Sequence, residues 1–344
     1  MSDFRIDQIT NQAGTAGPDI AGITTFSGSS GLLMPSGATE YRGGRGRGVF
    51  GGGSAPGVIN VIEYITISTT SNAFDFGDLI TAGYGRGSAS SSTRGLFGGG
   101  AGPAATNAIE YVTISSTGNG FDFGDLTSSQ RRFASAASNS IRGIWAGGFA
   151  SGASTNRIDY VNITTLGDAI VFGDLTVSSS SKASLSSPTR MLFAGDQGVS
   201  PAFIKINVID YITIATTGNA QDFGDLLNPT QTIASCSSSV RGIFGGGGIG
   251  NPSTTLTNVI QYVTIASLGD AIDFGDLTSA RGSLKATSSQ TRGVFGGGYI
   301  APAEVKTLEF ITIASLGNAT TFGNLASNGY LPSACSDAHG GLGD

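Results

Sequence analysis

Apolar residues along this chain never settle into a helical period. They come in short runs of four to six, alternating with Thr, Tyr or an acid and stopped by Gly, Ser or Asn. "IEYITI" from Ile62 has this form, and so do "IEYVTI" from Ile109, "IDYVNI" from Ile158, "IDYITI" from Ile209, "IQYVTI" from Ile260 and "LEFITI" from Leu308. Runs of this length, rich in β-branched and aromatic residues, predict β-strands. With one charged residue at most in six, each suits a strand covered on both faces.

Two other phrases keep step with this one. An arginine followed by apolar residues and a glycine cluster ("RGVFGGG" and its variants) begins at Arg47, Arg94, Arg142, Arg190, Arg241 and Arg292, at intervals of 47, 48, 48, 51 and 51. "FGDL" follows at Phe76, Phe123, Phe172, Phe223 and Phe274, and "FGNL" at Phe322. A Ser/Ala-rich stretch such as "FASAASNS" or "SLKATSS" then leads into the next arginine. Each unit thus predicts four strands: the arginine strand, the tyrosine strand, a strand turned at its Gly-Asp, and a small-residue strand suited to a crowded axis. A period near 50 with four strands per unit is the sequence form of a β-propeller blade, and six units predict six blades. The first unit lacks a Ser/Ala strand directly before it, and "GYLPSACSDAH" near the other end supplies one. Residues 329–339 are therefore expected to complete blade 1 and close the ring, which removes the edge strands that invite aggregation.

Composition narrows the function classes. Of 344 residues 55 are Gly, only 12% are charged, and the net charge is −6. No Lys/Arg run offers the positive footprint of a nucleic-acid binder. No stretch approaches the roughly 20 apolar residues of a membrane span, and "MSDFRIDQIT" has no secretory pattern. Cys236 and Cys335 stand in matching contexts and read as buried free thiols. The glycine phrase is not a phosphate loop, because no Gly-Lys-Ser/Thr follows and no helix opens after it.

Candidate chemistry is sparse. The six arginines read as structural, each paired with acids of its own unit such as Glu63 and Asp78. His339, the sole histidine, is expected in a frayed tail, which leaves no histidine-based metal site or Ser-His-Asp triad. Asp75, Asp122 and Asp222 read as exposed turn acids rather than calcium ligands. No cofactor and no catalytic constellation is expected. What varies between units is the loop after each glycine cluster, and variable loops on a rigid scaffold are the usual place for recognition. Phe149, Phe203, Tyr299 and Ile300 are the candidate recognition residues there.

Residues 1–46 are not a blade. Phe4, Ile6 and Ile9 alternate briefly, and a Gly/Ser/Thr-rich stretch follows that cannot build its own core. The segment is expected to be an extended attachment arm that orders against the propeller or another subunit, with 47–344 as the propeller.

The order of glycine cluster (Gly51–Gly53), tyrosine (Tyr64), aromatic (Phe76) and small-residue strand resembles the kelch family of propellers, with Phe where kelch units carry Trp. Kelch-type copper oxidases need paired histidines that this chain lacks, and sialidase-type propellers gather their arginines in one cleft. "FRIDQITNQAG", "TFSGSSGLLMPSG" and "TEYRGG" are similar to N-terminal segments of structural proteins of tailed phages, especially cyanophages. The blade consensus resembles propeller proteins of the same phages. The resemblance implies a non-enzymatic virion component, tail- or fibre-associated. Its partners would be other virion proteins through the arm and host-surface glycan through the loops, with a homo-oligomer on the particle compatible. A free lectin-like propeller and a capsid decoration protein are the alternatives, and a glycan-processing enzyme is the remote one.

Overall fold

Every arginine phrase opens a strand, and every sheet containing one is built in the same order. The computed structural model describes residues 26–27, 31–32, 46–54, 57–196, 204–251, 254–327 and 329–343. The chain divides into two compact units, Met1–Gly44 and Arg45–Asp344. In the first, Phe26–Ser27 pairs antiparallel with Gly31–Leu32. Phe4, Ile6 and Ile9 lie outside the described residues.

The second unit is all-β and propeller-like, with one short 3₁₀ turn, Gly340–Leu342, among its described residues. Its repeating element is an antiparallel four-stranded sheet. In the sheet of Arg94 the order is Gly87–Ser90, Arg94–Gly98, Ala108–Thr113 and Phe121–Asp125. The sheets of Arg142, Arg190, Arg241 and Arg292 follow the same order; that of Arg142 adds the short strand Phe149–Ala150. The sheet of Arg47 takes its first strand from far along the chain: Ser333–Ser336 pairs with Arg47–Ser54, Gly48 standing opposite Ser336 and Gly51 opposite Ser333. The six sheets are numbered one to six below by their arginines.

Burial explains the run-like pattern. In the strand Arg94–Gly98 the four residues after the arginine are buried, so both faces are covered. Each apolar cluster is shared by two sheets: Phe76 and Leu79 of sheet one pack with Phe97, Val112 and Ile114 of sheet two. Val294 and Phe322 of sheet six pack with Phe50 and Ile65 of sheet one.

Small residues sit where strands crowd. Ser90, Ser138, Ser186, Ser237, Ser288 and Ser336 hold the same place on the six first strands. Each hydroxyl donates to the carbonyl of its counterpart on the preceding sheet, at 2.6–2.8 Å, and Ser90 donates to Ser336 at 2.7 Å.

The glycine of "FGDL" differs from the sequence expectation. It does not turn the strand but lies within it, as in Phe74–Asp78. Gly77 has φ 144°, and a Cβ there would come within 2.5 Å of the Gly118 carbonyl on the next sheet. The close approach is used, because Gly118 N–H donates to the Phe76 carbonyl at 2.7 Å.

Candidate functional site: the loop rim and the central cavity

The repeated arginines are used up inside the frame. Arg47 lies over the Tyr64 ring at 4.4 Å and donates from Nη1 to the Ile114 carbonyl of the next sheet at 2.7 Å. The other five do the same, ending with Arg292 over Phe310 at 4.2 Å and bonded to the Ile67 carbonyl at 3.0 Å. A planar guanidinium can stack and donate at once, which makes each a clasp between neighbouring sheets.

The expected pairing of these arginines with acids of their own unit is corrected. Arg47 stands opposite Thr66 and Glu63 opposite Phe50, three residues away along the strand. At about 3.3 Å per residue that separation is roughly 10 Å, and Glu63 serves another purpose. It accepts Ala326 N, Ser327 N and Ser327 Oγ at 2.7–3.0 Å.

The corresponding acids take cations whose place in the sequence varies. Arg86 pairs with Glu110 at 3.4 Å, Arg131 with Asp159, Lys182 with Asp210 at 3.7 Å and Arg281 with Glu309 at 3.3 Å, all buried. Burial pushes the Asp210 carboxyl up, and Lys182 opposes that shift. In sheet five the position holds Gln261, which accepts Leu227 N–H at 2.8 Å without a charge to balance.

The candidate loop residues lie at one end of these sheets. Phe149 is half-buried, exchanges backbone hydrogen bonds with Arg132, and has that guanidinium over its ring at 4.6 Å. Tyr299 bonds to Gly282 in the same way and meets Tyr330 edge-on at 6.3 Å. Ile300 pairs with Ala303. Phe203 lies outside the described residues. Tyr84, Phe133, Arg132 and Tyr330 join this rim, with Tyr84 and Phe133 6.0 Å apart. Sequence reading passed over them because they stand just before the small-residue strands, in "AGYGRG", "RRFAS" and "NGYLPS". The departure of single aromatics from the repeat was the available signal.

Beneath the rim the chain makes the same contorted step six times. Gly85, Phe133, Ser181, Thr232, Ser283 and Leu331 have φ of 51–63°. This is a costly region for all but glycine. Hydrogen bonds between these residues hold it: Phe133 N–H to Gly85 O at 2.8 Å, Ser181 to Phe133, Ser283 to Thr232, Leu331 to Ser283 and Gly85 to Leu331. They border a cavity of ≈ 20 Å³ shared with Arg86, Lys182 and Lys285. Next along the first strands comes a cavity of ≈ 40 Å³, also lined by Lys285, and then one of ≈ 50 Å³ ending at His339.

His339 is the second correction. It caps the 3₁₀ turn by accepting Gly341 N–H at Nδ1, and its Nε2 lies 3.0 Å from the Ser90 carbonyl. Gln290 of sheet six donates to the carbonyls of His339 and Gly343 at 3.2 and 3.1 Å. Gly340 and Gly341 press against Ser238 and Ser138, so closely that a Cβ on either would fall within 2.2 Å of a carbonyl oxygen. Residues 337–343 are thus seated against the first strands rather than frayed, held by backbone contacts that composition does not reveal.

Another surface lies at the outer edge of sheet three. Ile141, Leu166 and Ile170, each more than half exposed, line a groove of ≈ 400 Å³ with Arg142, Tyr160 and Asp168.

Cys236 and Cys335 are buried free thiols, which burial pushes up to about 12. Asp75, Asp122 and Asp222 are exposed. Among the described residues no three His, Cys, Asp or Glu side chains gather as a metal site would require, and no helix is long and apolar enough to cross a membrane. No protein-family model matches the chain, and no curated protein matches it.

Proposed function

We propose that the second unit is a six-bladed, kelch-like β-propeller whose ring is closed by Ser333–Ser336, and that it acts as a binding scaffold without catalytic activity. The observation that carries this reading is the division of labour among side chains. The arginines, the strand acids and the first-strand serines of the repeat are consumed in holding sheet to sheet. The departures from the repeat are aromatics gathered at one rim: Tyr84, Phe133, Phe149, Tyr299 and Tyr330. Half-buried aromatic rings on a rigid frame suit stacking against sugar rings or anchoring a protein partner.

The biological setting follows from the resemblance of the first 46 residues and of the blade consensus to tailed-phage proteins. On this reading the protein is a virion component, tail- or fibre-associated. The arm docks on other virion proteins, and the propeller meets host-surface glycan or a neighbouring virion protein.

The test is electron microscopy of purified particles of the source phage with gold-labelled antibody against the propeller. Label on the tail or its fibres supports the reading, and label on the head makes the protein a capsid decoration. Protein confined to the soluble lysate overturns the virion role and favours a free lectin-like propeller. Deleting residues 1–46 is expected to abolish incorporation while the sheets stay folded, and normal incorporation would remove the arm from the reading.

A further inference from the structure

The six left-handed residues beneath the rim are linked by backbone hydrogen bonds into a chain, and that chain has one break. It runs Thr232, Ser283, Leu331, Gly85, Phe133, Ser181, each residue after the first donating its N–H to the carbonyl of the one before. No such bond joins Thr232 to Ser181. Among the described residues the Thr232 N–H and the Ser181 carbonyl therefore have no hydrogen-bond partner. All six residues line the same ≈ 20 Å³ cavity. The hydroxyls of Ser181, Thr232 and Ser283 make no hydrogen bond among the described residues either, although Ser283 is only 8% exposed. The lining is two-sided. Sheets four to six contribute Ser181, Thr232 and Ser283, while sheets one to three contribute Leu331, Gly85 and Phe133.

This arrangement selects a kind of ligand. The polar side offers a free donor, a free acceptor and three hydroxyls that serve as either. A ligand that meets it must donate and accept at neighbouring atoms while turning apolar surface to Phe133 and Leu331. A pyranose does both, because its hydroxyls are amphoteric and its C–H faces are apolar. A cavity of ≈ 20 Å³ takes a hydroxyl or hydroxymethyl group rather than a whole ring. The ring then lies outside it, where Phe133 meets Tyr84 with ring centroids 6.0 Å apart. We propose that this mouth binds one pyranose unit of a glycan. A sugar hydroxyl bridges the break, accepting from the Thr232 N–H and donating to the Ser181 carbonyl, and Phe133 packs against a C–H face. The proposal rests on the reading of the rim as a recognition surface and does not depend on the virion role.

The experiment titrates the full-length protein with the methyl glycosides of glucose, galactose, mannose and N-acetylglucosamine, read by saturation-transfer NMR and by Tm. At least one is expected to saturate at millimolar concentration and to raise Tm. Thr232→Gly and Ser283→Gly each remove a hydroxyl. Gly85 holds the same backbone conformation in sheet two, so both variants are expected to stay folded. Each is expected to weaken that glycoside about tenfold, the worth of a hydrogen bond or two. In crystals of the complex a sugar hydroxyl is expected between the Ser181 carbonyl and the Thr232 N–H. Wild-type affinity in both glycine variants, saturation by none of the four glycosides, or water alone in the gap would overturn the proposal. Binding lost in Phe149→Ala but kept in the glycine variants would also overturn it, while leaving recognition at the outer rim standing. Particles that carry the protein although no glycoside saturates would end the sugar assignment and not the virion role.

Discussion

Ser90 Oγ donates to the carbonyl of Ser336 at 2.7 Å, although the two residues are 246 positions apart in the chain. Five other hydrogen bonds of the same kind stay between sequence neighbours of the repeat, and this one joins the last of them to the first. The energetic consequence is that sheet one depends on a strand supplied after the other five sheets have been made.

Removing that strand should therefore cost far more than its length suggests. Deletion of residues 329–344 is expected to expose the edge of Arg47–Ser54, lower Tm sharply and promote aggregation. Ser90→Ala is the mild control, expected to lose about 1 kcal/mol. Thermal melts of the two variants check this, and an unchanged melt for the deletion would contradict the role of the strand.

The arginine clasps should be intolerant of lysine. Arg142 lies over Tyr160 at 4.7 Å and bonds to the Ile214 carbonyl at 2.7 Å. Lysine keeps the charge but not the planar fork that does both. Arg142→Lys and Arg142→Ala are each expected to cost about 1–2 kcal/mol in urea melts. Full retention of stability by the lysine variant would reduce the clasp to simple charge.

The buried ion pairs give a sharper contrast. Lys182→Met strands Asp210 and is expected to cost about 3–5 kcal/mol, most of it regained by Lys182→Met combined with Asp210→Asn. Gln261→Glu should be destabilising for the same reason, since Gln261 Oε1 accepts the Leu227 N–H and no hydrogen bond from a Lys or Arg reaches it among the described residues. A neutral effect of Gln261→Glu in a melt at pH 7 would mean that water or local rearrangement solvates the new charge.

Acid should weaken the seat of residues 337–343 through His339. Burial lowers its pKa from 6.5 to about 4. The unfolded chain thus binds a proton more readily than the folded one between these values. The contribution to stability is complete above pH 6.5 and is lost as pH falls toward 4, on the order of 2 kcal/mol given that part of the ring meets solvent. His339→Asn is expected to flatten this segment of the stability–pH curve, measured by urea melts. An unchanged slope would assign the acid sensitivity to other groups.

The glycine of each arginine phrase answers a side chain on the preceding sheet. A Cβ at Gly242 would lie 2.7 Å from Leu185 Cδ1, and one at Gly293 would lie 2.5 Å from Cys236 Sγ. In sheet four the position is Met191, and the residue facing it from sheet three is Ala137, the small partner that makes room. Gly242→Ala is therefore expected to destabilise by about 1–3 kcal/mol, with partial rescue by Leu185→Ala. Strict additivity of the two changes would argue against the contact.

Reading the sequence located the strands because each phrase carries its own physics. β-branched runs covered on two faces, punctuated by glycine and repeated six times, leave little freedom in element type or order. The same reading put Arg47 beside Glu63, since the arginine recurs in every unit and an acid at the Glu63 position in five of the six. Recurrence says that two residues are structural, but it does not say that they touch.

What the sequence determined by itself was the repeat, the all-β class and the small-residue strands, because these rest on local propensity and periodicity. Tertiary structure decided which carbonyl each arginine reaches, which cation each acid receives, and where His339 comes to rest. It also brought the rim aromatics together from separate units and left a break between Ser181 and Thr232 in the hydrogen-bonded chain beneath them. Those outcomes depend on register between sheets and on backbone approaches such as that of Gly77 to Gly118. Such distances are set by how six sheets pack, and no single unit contains them.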